Sequence, residues 1–145
     1  MQHLTRRIYT FLVAAVLAFT GFNVMAAKEK AVDPNAPAVV KPTEEKGISR
    51  ITLTDQAAKR LGIQVAVAKE APQGVEVPYS ALLYEASGGE WVYINPEGNV
   101  YKRASVKVQR IDGNRMYLSK GPAKGTKVVT VGAAELFGAE FEIGH

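Results

Sequence analysis

Between Val75 and Val131 the chain repeats one pattern: short runs of β-branched and aromatic residues bounded by Gly, Pro, Asn or Asp. The runs are Val75–Tyr84, Gly89–Asn95, Val100–Val108, Arg115–Ser119 and Lys127–Val131. Such punctuation predicts a series of short antiparallel strands. In the third run Ala104, Val106 and Val108 fall on one face, and Arg103, Ser105, Lys107 and Gln109 on the other. A strand patterned in this way is half-buried, with one wet face. Hairpin turns are predicted at Ala86–Gly89, Asn95–Asn99 and Ile111–Arg115, and a longer turn at Ser119–Gly125. Asp112-Gly113 is the strongest of these turn signals, and Gly98 supplies a positive φ to its own turn. Pro78 cannot donate to a ladder, so it is expected at a strand start or on an edge.

Upstream, Arg50–Thr54 alternates as a short strand and runs into a helical piece, Asp55–Leu61. Thr54 suits the N-cap, Asp55 complements the positive helix start, and Lys59 and Arg60 sit in the last turn. Gly62 fits the left-handed residue that ends such a helix. A helix this short is marginal alone, so Ala58, Leu61 and Ile63 must pack on something. Ile63–Val67 alternates as another strand, and Lys69–Gly74 is a predicted turn. At the far end Gly132–Phe137 predicts one helical turn, and the alternation of Phe141 with Ile143 predicts a last edge strand. Together these elements predict an all-β fold: a small antiparallel β-sandwich or barrel-like domain with one or two short helices, over residues 50–145.

The first 49 residues are patterned differently. Residues 1–26 have the layout of a signal peptide: Arg6 and Arg7, an uncharged apolar run from Ile8 to Phe22, then Val24-Met25-Ala26 before a cleavage point at Ala27. The apolar run is shorter than the roughly 20 residues that span a bilayer, which favours cleavage over an uncleaved inner-membrane anchor. Residues 27–49 carry three prolines and many charges, so they are expected to form a flexible tether. The expected location is therefore periplasmic.

Composition narrows the chemistry. The formal charge is +4, of which Arg6 and Arg7 belong to the leader, so the mature balance is weak and does not point to nucleic acid. Cysteine is absent, which excludes disulfides, thiolate catalysis and thiolate metal sites. Beyond the leader the one histidine is His145, and with Met116 it makes too small a set for a soft-metal site. A terminal histidine is also a poorly held general base. No enzyme activity, no cofactor and no metal is expected.

The order of several fragments is similar to the periplasmic adaptor subunits, or membrane fusion proteins, of resistance-nodulation-division efflux pumps. Thr52–Ile63 resembles the strand, short helix and Leu-Gly-Ile that open their membrane-proximal domain. Val77–Tyr84, Trp91–Ile94, Arg103–Val106, Gly121–Gly132 and Ala133–Gly138 resemble later landmarks of that domain, in the same order. The similarity spans residues 50–145. It implies a membrane-proximal β-domain reduced to essentials: six residues, Lys69–Gly74, stand where full adaptors insert their β-barrel, lipoyl-like and helical-hairpin parts.

On this reading the chain is a non-enzymatic interaction module, an accessory or regulator of a transport assembly. Its implied partner is an inner-membrane transporter or a full-length adaptor subunit, with peripheral proximity to the membrane. Two other readings stand beside it: a small-ligand or metal carrier using a β-domain cleft, and a truncated remnant. The candidate partner or headgroup surface is basic, comprising Lys102, Arg103, Lys107, Arg110, Lys120 and Lys124, with Asp112 the one acid in that stretch. The competing reading is a solvated sheet face with edge-protecting lysines.

Overall fold

The computed structural model describes residues 36–141. The signal-peptide reading and its Arg pair, together with Ile143 and His145, lie outside the described residues. What is described is an all-β fold of two packed antiparallel sheets with two short helices.

The strands are β1 (Ala38–Pro42), β2 (Ser49–Leu53), β3 (Gln64–Val67), β4 (Lys69–Ala71), β5 (Gly74–Pro78), β6 (Leu83–Tyr84), β7 (Glu90–Glu97), β8 (Val100–Ser105), β9 (Lys107–Asp112), β10 (Arg115–Lys120) and β11 (Lys127–Val131). The helices are α1 (Asp55–Arg60) and α2 (Ala133–Glu140). The larger sheet runs β1-β2-β8-β7-β11-β3, with β6 also paired to β7. The smaller runs β4-β5-β10-β9.

The larger sheet is covered on both faces, so its central strands have no wet side. On one face Ile51, Tyr93, Tyr101 and Val129 form a core with Ala57 of α1 and Ala133 and Leu136 of α2. On the other, Val92 and Val128 meet Val77, Met116 and Leu118 of the smaller sheet. The order of layers is helices, large sheet, small sheet. Met116 is fully buried there.

The chain crosses between the sheets at single buried residues. Ala68 is the corner between β3 and β4, and Val106 the corner between β8 and β9. Both bond outside the regular ladders: Ala68 N–H donates to the carbonyl of Thr126, just before β11, and Val106 N–H to the carbonyl of Glu90, the first residue of β7. The expected single strand Val100–Val108 is therefore two strands in two sheets. Likewise the expected turn Lys69–Gly74 is mostly strand, with only Pro72 and Gln73 left to turn. Gly74 is required at its position: its φ is +134°, and a Cβ there would lie 2.0 Å from the Leu118 carbonyl oxygen.

Other expectations shift at the edges. Part of the expected tether, Ala38–Pro42, is β1, paired to β2 because Ala38 and Val40 have the first core to pack against. Pro78 ends β5 instead of starting a strand, and the chain passes into a single 3₁₀ turn at Tyr79–Ala81. The short helix forms as read, with Thr54 Oγ1 accepting from Ala57 N–H and Gly62 at φ +62°.

The two halves of the domain are knitted through the large sheet, since β2 pairs with β8 and β3 with β11. A chain lacking residues 50–67 loses both pairings and three of the eight buried residues of the helix-side core, Ile51, Leu53 and Ala57. It is expected to lose cooperative thermal unfolding by circular dichroism, whereas removal of a dispensable arm would leave the transition intact.

Candidate functional site

The six candidate basic residues do not form one surface. Lys102 is half-buried on β8 and pairs with Glu45 of the β1–β2 loop. Arg110 lies 4.2 Å over the Tyr117 ring and 3.3 Å from Asp112. Lys124 is 2.7 Å from Glu70. The structure brings together only Lys107 and Lys120, which sit opposite each other across β9 and β10. Asp112 meets Arg110 locally, but the acids that meet Lys102 and Lys124, Glu45 and Glu70, come from distant parts of the chain, which local order does not show. The view that Asp112 alone opposes this cluster is thereby corrected.

Arg103 is the sharpest correction. It is 2% exposed and belongs to no surface. Strand alternation correctly separates its face from that of Ala104, but both faces of this sheet are dry, so its face is interior. Its cross-strand partner is Tyr93, also fully buried.

A charge in that position needs partners, because an isolated buried ion is prohibitively costly. Arg103 Nε lies 2.8 Å from Glu140 Oε2, an ionic contact outside hydrogen-bond geometry. Nη2 donates to the Gly47 carbonyl at 2.8 Å. Nη1 is 3.8 Å from Glu85 and has no hydrogen-bond acceptor among the described residues. The guanidinium is walled by aromatic rings, its Cζ 4.5 Å from the Trp91 centroid and 4.7 Å from that of Phe141. Such faces attract the cation and exclude water together.

Glu140 is equally committed. Oε2 accepts a short hydrogen bond from the Tyr93 hydroxyl, and Oε1 accepts from Ser49 N–H at 2.9 Å. A carboxylate at the C-terminal end of a helix opposes the helix dipole, so Arg103 is what makes this position tenable. Burial, then the hydrogen bond to Glu140 and its negative charge, push the Tyr93 phenol well above the ordinary tyrosine range, and Arg103 only partly opposes them. The cluster fastens three elements at once: the β1–β2 loop, the large sheet and α2. Both charged side chains are closed off from solvent, so the cluster reads as a fastening.

The second feature is the edge of the large sheet. Among the described residues β3 pairs only with β11, which leaves its other side open. The alternation of Ile63, Val65 and Val67 reads as an inward face. In the structure Val65 shares its face with Val129, but the helices cover Val129 and stop short of β3. Val65 is 41% exposed and Val67 51%, beside Val131 at 44%. Of the other edge strands, β1 carries Lys41 and Pro42, β4 carries Lys69 and Glu70, β9 carries Lys107, Arg110 and Asp112, and β6 is only two residues long. β3, Gln-Val-Ala-Val, carries none of these usual defences against pairing. Sequence reasoning found the strand but not its position at an edge, which long-range pairing alone assigns.

A cavity of about 330 Å³ lies on the small sheet, lined by Gln73, Gln109, Arg110 and Tyr117 among others. Gln109 and Gln73 hydrogen-bond across its mouth at 2.9 Å. Among the described residues no cluster of three His, Asp or Glu is placed to hold a metal, and no helix is long and apolar enough to cross a membrane. No protein-family model, curated protein or solved structure matches the chain.

Two outcomes test the cluster. Arg103→Ala strands Glu140 and is expected to cost about 3–5 kcal/mol in denaturant unfolding, while Arg103→Met with Glu140→Leu recovers most of that loss; equal losses in both variants would show that the pair matters for packing alone. Because the folded Tyr93 pKa is raised, its contribution is fully present below the ordinary tyrosine value of about 10 and is lost as pH climbs above it. Tyr93→Phe is therefore expected to flatten the alkaline fall in melting temperature, after an initial cost of about 1 kcal/mol at neutral pH for the lost hydrogen bond.

Proposed function

We propose that the protein is a non-enzymatic interaction module exported to the periplasm, where it acts as an accessory or regulatory component of a transport assembly. The observation that carries the reading is the undefended β3 edge in a fold whose other edges are charged, proline-bearing or, in β6, only two residues long. A row of open backbone donors and acceptors flanked by exposed valines is a ready template for another chain. The leader-like pattern of residues 1–26 supports export, and the ordered resemblance to efflux adaptors supports the transport setting. The proposed partner is an inner-membrane transporter or a full-length adaptor subunit. Six residues between β3 and β5 leave no room for a hairpin reaching another membrane, so the role is accessory to a bridge made by other subunits.

A second reading, a small-ligand carrier, is favoured by the cavity beside Tyr117. Its defect is that Arg110 already occupies the Tyr117 ring face, so a flat ligand must displace a cation that also holds Asp112.

The module reading expects co-purification with an inner-membrane transporter or adaptor at native expression, reduced by Val65→Lys together with Val67→Lys. A stable monomer that recovers neither, yet gains melting temperature with a metal or lipophilic compound, would instead favour the carrier, since a ligand stabilises the state it binds.

A further inference from the structure

We infer that β3 receives an extended acidic segment of a partner protein as an added strand, a conclusion that rests on the interaction-module reading and specifies its site. Three observations converge on the occupant. The first is backbone: β3 is four residues of strand, paired with β11 through one register shift and unpaired on its other side among the described residues, and main-chain ladder bonds are what an added strand supplies.

The second is the side-chain face. Val65 and Val67 stand on the same side of the sheet and are both exposed, so an added strand gains by presenting apolar, β-branched residues at alternate positions. The neighbouring edge β4 continues the chain beyond Ala68, but there Lys69 and Glu70 are exposed and Glu70 is held by Lys124. The receptive stretch therefore ends at the corner.

The third is charge. Lys127 lies directly across the ladder from Val67. Lys69 follows two residues later, and Lys59 and Arg60 close the helix that precedes β3. None of these four cations makes an ion pair with a described residue, whereas Lys102, Arg110 and Lys124 each do. Cations framing an apolar edge steer acidic chains towards it and disfavour basic ones. They also explain why this edge is not an open invitation to self-association: a second copy would bring the same cations against themselves.

The test titrates the isotopically labelled full chain with three hexapeptides: alternating valine–glutamate, alternating valine–lysine, and the glutamate peptide with N-methylated alternate amides. The acidic peptide is expected to shift the Val65 and Val67 amide resonances and slow their hydrogen exchange. The basic peptide and the N-methylated peptide are expected to do neither. Reversing the framing charges together (Lys59→Glu, Arg60→Glu, Lys69→Glu and Lys127→Glu) is expected to weaken the acidic peptide by about tenfold through the field at the edge and to strengthen the basic one. Equal binding of acidic and basic peptides, or protection that appears at β9 or β1 and not at β3, overturns the inference. A photo-crosslinker placed in cells at Val65, and separately at Ile111 on β9, separates the two levels of the claim. Adducts to an acidic extended segment at Val65 support it. Adducts at Ile111 alone keep the interaction module and remove β3 as its site, and adducts at neither position remove both.

Discussion

The ion pair between Arg103 and Glu140 is the constraint around which the helix side of this domain is arranged. It joins a strand in the middle of the large sheet to the last residue of α2, and through Gly47 and Ser49 it joins both to the loop that follows β1. Desolvating two charges is costly, and their attraction offsets that cost only when the remaining donors and acceptors are matched. Here Glu140 is matched by Tyr93 and Ser49, whereas Arg103 donates to Gly47 alone and relies on the charge of Glu140 and on three aromatic rings for the rest. Such a pair adds more to uniqueness than to net stability. A slipped α2, or a displaced loop, leaves a bare charge in a dry interior, so alternative packings of the helix are excluded by a large margin.

That constraint also explains the length of α2. Gly138 is a poor helix former, disfavoured by about 1 kcal/mol relative to alanine, and local reasoning stops the helix at Phe137. The helix runs on to Glu140 because one more turn puts Phe137, Glu140 and Phe141 on the stripe that meets Arg103. The expected edge strand through Phe141 gives way to this contact. Phe137 and Phe141 stack 4.7 Å apart, the spacing of side chains four residues apart on a helix.

The helix side and the edge are linked. α1 and α2 are short, six and eight residues, and cover the centre of the large sheet while leaving its β3 border bare. The exposed valines are thus a consequence of how much sheet two stubby helices can cover. The absence of lysine or proline on β3 then converts that border into a surface suited to association, and the cations around it give the surface a sign.

Local signals carried the turns, the caps and most strands: Asp112-Gly113, Gly98, Thr54 and Gly62 each act within a few residues, and each stands where short-range geometry puts it. The all-β class followed from the same punctuation. What the sequence could not decide was which face of each strand is wet, because that depends on how many layers lie over the sheet. Arg103 and Lys107 have the same parity in one apparent strand, yet the corner at Val106 sends one into a doubly covered sheet and the other to a solvated edge. Glu140, Glu85 and Gly47 reach Arg103 from 37, 18 and 56 positions away along the chain. Residue order determined the elements; only the tertiary structure decided partners, because burial and charge pairing are properties of neighbours in space.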